Sequence, residues 1–141
     1  MYQRIAHIAL LVEDYDDAIN FYTRKLDFKL LEDNKLSDNK RWVILAPEGA
    51  KECCLLLAKA ANKQQIEIVG NQTGGRVFLF LYTDDFWRDY EKMKFRGIKF
   101  IRAPQNFEYG TVAVFEDLYG NMWDLIEPSE KNRDLIHERS G

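Results

Sequence analysis

Basic excess, long apolar runs, histidine and cysteine are what this sequence has little of, and each shortage excludes something. Against 23 Asp and Glu there are 20 Lys and Arg, giving a net charge of −3 with the two signs interspersed. A chain without a basic stripe is not expected to bind nucleic acid. No apolar run approaches the ~20 residues that cross a bilayer, so no membrane span is expected. The N-terminus meets acidic residues by position 13 and shows no small-residue cleavage pattern, so a signal peptide is not expected. The two cysteines, Cys53 and Cys54, are adjacent. A disulfide between neighbours is strained, and a pair of free thiols suits a reducing cytoplasm. Gly74 and Gly75 precede no Lys and form no G-x-G-x-x-G, so no phosphate-cradling loop is present. There are two histidines: His7 inside an apolar run and His137 in a charged tail. Whether His7 does chemistry depends on the partners the rest of the chain brings to it.

What is present is an ordinary globular mixture, 46% apolar and 30% charged over 141 residues, enough for one domain with a sizeable core. Its pattern occurs twice. RIAHIALLV (4–12) is apolar on both faces and reads as a buried strand. Asp14 is an N-cap for YDDAINFYTRKL, where Ala18, Phe21, Tyr22 and Leu26 have helical spacing. FKLLED is a short strand, DNKLSDNK a polar turn, and RWVILAP and CCLLLA two more strands. In the second half RVFLFLYT (76–83) is again a strand buried on both sides, closed by Asp84. DFWRDYEKMKFRG is an amphipathic helix stopped by Gly97, and IKFIRAP, TVAVFED and NMWDLIEP are strands. A shift of 70 residues sets Asp14 on Asp84 and LDFKLL on RGIKFI, and one further slip sets VILAPEG on VFEDLYG. The expectation is a single α+β domain of two βαβββ modules, about 4–58 and 76–128. A connector over 59–75 joins them, and a charged tail over 129–141 follows as a solvated helix or frayed end.

The doubled unit, opening with AHIALLVEDYDDAINFYTRKLDF and closing with EDLYGNMWDLIEP, resembles the vicinal oxygen chelate superfamily over residues 4–128. That group includes glyoxalase I, bleomycin resistance proteins, fosfomycin resistance enzymes and extradiol dioxygenases. The resemblance implies curved mixed sheets around a central cavity. It implies divalent metal ligands (for zinc, nickel, manganese or iron) on the first and last strands of each half. His7 matches the first ligand position and Asp124, within GNMWDL, the last, where the family usually shows Glu. With them Ala9 and Leu11, and Met122 and Ile126, would face the cavity. The other two positions depart from the pattern. Val77 stands 70 residues after His7 where a metal-using member has His, and the equivalent of Asp124 falls within 53–55. Catalytic metal sites normally have at least three protein ligands.

His7 and Asp124 are the candidate catalytic pair, acting with a metal or as an acid–base couple without one. Beside the functional reading of each stands a structural one, a hydrogen-bonded polar group in the core. Candidates for a ligand cavity are Trp42, Cys54, Arg76 and Tyr109. Of the arginines near strand ends (Arg41, Arg76 and Arg102), Arg76 follows the flexible QTGG turn and is best placed for an anionic group. Two functions follow. One is a lyase or isomerase resembling lactoylglutathione lyase, acting on a small vicinal-oxygen substrate. The other is a metal-free protein that binds or sequesters a small molecule, as the bleomycin resistance members do. In both the partner is a small molecule, and the edge strands predict a homodimer.

Overall fold

The computed structural model describes residues 1–50 and 52–130. His137 and the expected final helix lie outside the described residues. The chain forms two compact units, residues 1–72 and the part from Thr73 onward. Each holds one four-stranded mixed sheet, so the fold is α+β as the pattern predicts.

The first unit runs β1 (His7–Val12), α1 (Tyr15–Asn20), a π-helical turn (Phe21–Lys25), β2 (Lys29–Lys35), β3 (Arg41–Ala46), β4 (Cys54–Lys59) and α2 (Lys63–Ile68). Its strand order is β1-β4-β3-β2, with β1 parallel to β4 and the other pairs antiparallel. The second unit runs β5 (Val77–Tyr82), α3 (Phe86–Phe95), β6 (Phe100–Phe107), β7 (Gly110–Glu116) and β8 (Met122–Pro128). It repeats the order as β5-β8-β7-β6.

In both units the sheet buries one face against a helix. Leu10 and Val12 of β1, Leu55 and Leu57 of β4 and Val43 and Leu45 of β3 share that face in register, and all are buried with Tyr15, Ala18 and Tyr22. Each such apolar side chain contributes roughly 1.5–3 kcal/mol when taken from water. Asp14 starts α1 by accepting from the Asp17 amide at 2.8 Å. A cap of this kind is worth ~1 kcal/mol. In the second unit Phe86, Met93 and Ile98 cover Ala113, Phe115, Trp123 and Leu125. Its core is tied by ring contacts, Tyr90–Phe100 at 4.6 Å and Phe115–Trp123 at 5.9 Å between centroids. The outer edge of β1 is closed by one side chain. The Gln72 amide donates to the Ala9 carbonyl at 2.7 Å and accepts from the Leu11 N–H at 3.0 Å.

Several expectations need correction. β1 and β5 are not buried on both sides. His7 and Ala9 are exposed while Leu10 and Val12 are buried, and Phe80 and Tyr82 are 60% and 51% exposed. An apolar run permits cover on two faces but does not supply it. β2 runs on through Lys35 into what reads as a polar turn. As an edge strand with every residue exposed, it needs only backbone pairing to β3, which tolerates polar side chains. The single helix expected over YDDAINFYTRKL tightens into α1 and then widens into the π-helical turn, which lets Tyr22 and Phe28 meet at 5.4 Å. The connector contains α2, capped by Asn62 accepting from Gln65 N–H at 2.9 Å.

Finally, the cap of α3 is Asp85 and not Asp84, so the two caps stand 71 residues apart. The extra residue sits in β5, where the register slips between Val77 and Leu79.

Candidate functional site

Opposite each core face lies a second face, on which His7 and Ala9 of β1 and Phe80 and Tyr82 of β5 are exposed. In the second unit, register sets one row of side chains across it: Phe80 of β5, Asp124 of β8, Val114 of β7 and Arg102 of β6. The next row is Tyr82, Ile126, Val112 and Gln105. Period-two alternation with Trp123 and Leu125 buried on the other face is what turns Asp124 this way. A cavity of about 130 Å³ opens here, floored by Val112 and Val114 and flanked by Asp124, Arg102 and Gln105. Phe107 and Tyr109, from the β6–β7 hairpin, form its rim with their rings parallel, 3° apart in plane and 5.2 Å between centroids.

Burial pushes the Asp124 carboxyl above its ordinary value, and the positive charge of Arg102 pulls part of the way back. Neither group makes a hydrogen bond or ion pair among the described residues. Arg41 and Arg88 are different. Arg41 bridges Asp33 at 2.7 Å and Asp16 at 3.0 Å and lies over the Tyr15 ring. Arg88 bridges Asp84 and Asp89, each at 2.9 Å. Arg41 ties β3 to α1 and β2, and Arg88 braces the first turn of α3.

The hairpin that presents the two rings depends on Gly110. Its φ is +155°, and a Cβ there would run into the Glu127 carbonyl oxygen and lie 3.1 Å from the Pro128 Cα.

In the first unit the open face carries His7, Cys54 and Trp42. His7 and Cys54 are direct neighbours across the parallel pair, and the Trp42 ring meets His7 edge-on at 5.8 Å. The Trp42 indole N–H donates to the Glu32 carboxylate at 2.9 Å. Cys54 points its thiol to the Glu52 carbonyl at 3.7 Å, and burial raises the thiol of Cys53.

Of the residues expected to line a cavity, Tyr109 lies at this one, with Asp124. Trp42 and Cys54 stand with His7 on the open face of the first unit. Arg76 precedes β5 and is exposed outside the cavity lining, whereas Arg102 is part of it. Two equivalences change with the slip in β5. Counting back from Phe80 in steps of two, Phe78 rather than Val77 shares the open face, and Val77 lies at the irregularity. Since Phe80 pairs Asp124 as Ala9 pairs Leu56, the first-unit counterpart of Asp124 is Leu56, one residue beyond the expected window. Gln105 and Phe107, which line the cavity, and Phe80, in the same row as Asp124, were not expected at a site. Their signal is the alternation of their strands, which shows only when the bulges in β5 and β6 are known.

The family model of the "Glyoxalase/Bleomycin resistance protein/Dioxygenase superfamily" matches residues 4–125. The chain belongs to this superfamily. It is 58% identical over 132 residues to an uncharacterized protein of Shewanella frigidimarina, covering 93% of this chain and 98% of that one. Among solved structures it is similar to TnmS3, an antibiotic-binding protein from Streptomyces sp. CB03234. There the TM-score is 0.74 at 29% identity, over 91% of this chain and 98% of that one. It is also similar to a glyoxalase I variant from Zea mays, with a TM-score of 0.68 at 27% identity, over 90% of this chain and 46% of that one.

The superfamily often uses divalent metals, and such an ion needs at least three protein donors. Among the described residues no group of three or more His, Cys, Asp and Glu side chains is placed to hold a metal. Asp124 has a guanidinium beside it, and His7 has a thiol and an indole ring as neighbours. This donor set does not fit a divalent ion. No helix of the described residues is long and apolar enough to cross a membrane.

Proposed function

We propose that this member of the superfamily is a binding protein that holds a small organic molecule on its open sheet faces, as the bleomycin resistance members do. The observation that carries the reading is the cavity of the second unit. It has an apolar floor, two parallel rings at its rim, and one acid and one arginine with no hydrogen-bond partner among the described residues. Small-molecule sites are built this way, mostly apolar with a few polar groups that fix orientation. The likeness to an antibiotic-binding protein supports the same reading.

The second reading is a lyase or isomerase related to glyoxalase I, with Asp124 moving a proton and His7 as its partner group. Burial of Asp124 favours it, because a carboxyl held above its ordinary value is a better proton acceptor near neutral pH. On either reading the chain works in the cytoplasm as a homodimer. The edge strands β2, β5 and β6 offer backbone groups that a second copy would pair.

The test is incubation of the purified chain with a panel of aromatic antibiotics and, separately, with the hemithioacetal of methylglyoxal and glutathione plus zinc or nickel. Calorimetry reads binding, and mass spectrometry reads the fate of each compound. Saturable binding with the compound recovered unchanged supports a binding protein. Turnover of the hemithioacetal supports the lyase. Light scattering at micromolar concentration checks the dimer, and a monomer mass rejects it.

A further inference from the structure

This inference rests on the reading of the chain as a small-molecule binder and names the class of ligand. We propose that the cavity of the second unit takes a planar aromatic carboxylate, with its ring against Phe107 and Tyr109 and its carboxylate on the Arg102 guanidinium.

The rings argue for planarity. Phe107 and Tyr109 lie within 3° of parallel and are 46% and 49% exposed. Stacked on one another, they leave an outer ring face as a flat apolar surface at the cavity rim, and offset stacking of a ligand ring there continues the pair at favourable geometry. An aliphatic chain of equal area would gain burial but not the stacking contribution. The size fits as well. About 130 Å³ is close to the ~150 Å³ engineered cavity that takes up benzene.

The arginine argues for an anion. Arg102 is in register with Val114, which is 3% exposed, so a ligand lying on Val112 and Val114 comes over the guanidinium. Where this fold uses arginine as a fastener it gives each one two carboxylates, as at Arg41 and Arg88. Arg102 has neither a hydrogen bond nor an ion pair among the described residues. Covering it with a neutral ligand desolvates the guanidinium without giving its N–H groups an acceptor, whereas a carboxylate meets its planar fork with two parallel hydrogen bonds. Asp124 does not reverse the preference. It makes no hydrogen bond or ion pair to Arg102 among the described residues, so it leaves the guanidinium fork open to a ligand's carboxylate. Gln105, in the row below, adds an amide donor at the same edge.

The experiment titrates the full ¹⁵N-labelled chain with naphthoate and with the neutral naphthylmethanol, reading amide shifts. Naphthoate should bind about tenfold tighter, the gain expected of a charge-assisted pair over a neutral contact. Shifts should be largest at Arg102, Phe107, Tyr109 and Val114. In Arg102→Gln, naphthoate should lose about tenfold and naphthylmethanol should be unchanged. Tyr109→Leu should weaken both probes alike. Arg102→Lys, which keeps the charge but not the fork, should fall between wild type and Arg102→Gln and serves if the glutamine variant is poorly folded. Equal affinity for the two probes, shifts centred elsewhere, or no saturable naphthoate binding would each overturn the proposal. These failures are separate from failure of the underlying reading. If an antibiotic of the panel binds unchanged while naphthoate does not, the ligand class falls and the binding protein stands.

Discussion

Replacing Gly110 with alanine tests how the fold presents its rim. Gly110 opens β7, pairs with Pro128 and directly follows Tyr109, so its backbone sets where the two rings point. At φ +155° an L-residue is strained by roughly 1–3 kcal/mol. The added methyl also meets the Glu127 carbonyl oxygen and the Pro128 Cα, both backbone, which cannot rotate aside as a side chain would. Overpacking of that kind costs about 1–3 kcal/mol. The sum, about 2–6 kcal/mol, is a large share of a typical stability of ~5–15 kcal/mol. For a chain of this size it lowers Tm by roughly 10 °C or more. The assay is a thermal melt by circular dichroism, with amide shifts of 107–112 as a local reading. If the local strain is relieved by opening the hairpin, Tm falls less but those amides move and naphthoate binding drops. A melting temperature within about 2 °C of wild type, with the hairpin amides unmoved, refutes the steric argument.

Asp124→Asn should raise stability at neutral pH and flatten its pH dependence. A carboxyl whose folded pKa is raised keeps its proton longer in the native state than unfolded, so wild-type stability falls as pH rises from 3.8 through the raised value. Urea melts across that range check this, and an unchanged slope in the variant rejects it. Leu57→Ala, at a buried position in register with Leu10 and Val43, should cost about 2–5 kcal/mol. Phe80→Ala on the open face should stay within about 0.5 kcal/mol, and equal costs in urea would mean the two faces are misassigned. His7→Ala should lower Tm little, since an exposed ring edge-on to Trp42 holds ~0.5–1.5 kcal/mol, and Trp42 fluorescence should change with it.

Much of this protein was legible in its sequence. The α+β class and the doubled βαβββ order follow from apolar alternation, from Asp14 before a helical run, and from Gly97 after one. These signals are local, because each depends on side chains a few residues apart. Asp124 was named because GNMWDL resembles the family's closing motif, and Tyr109 as one of several aromatics that could line a cavity.

What the tertiary structure decided was register and cover. Whether β1 and β5 bury one face or two depends on what packs on them, and His7, Phe80 and Tyr82 are exposed on the face opposite the buried one. One extra residue in β5 moves the cap from Asp84 to Asp85 and the open face from Val77 to Phe78. It also makes Leu56 the counterpart of Asp124. A bulge leaves no mark in a period-two pattern until both strands are aligned. Arg76 and Arg102 look alike in sequence, and only the pairing of β7 with both β6 and β8 sets Arg102 in one row with Asp124, 22 residues away in the chain.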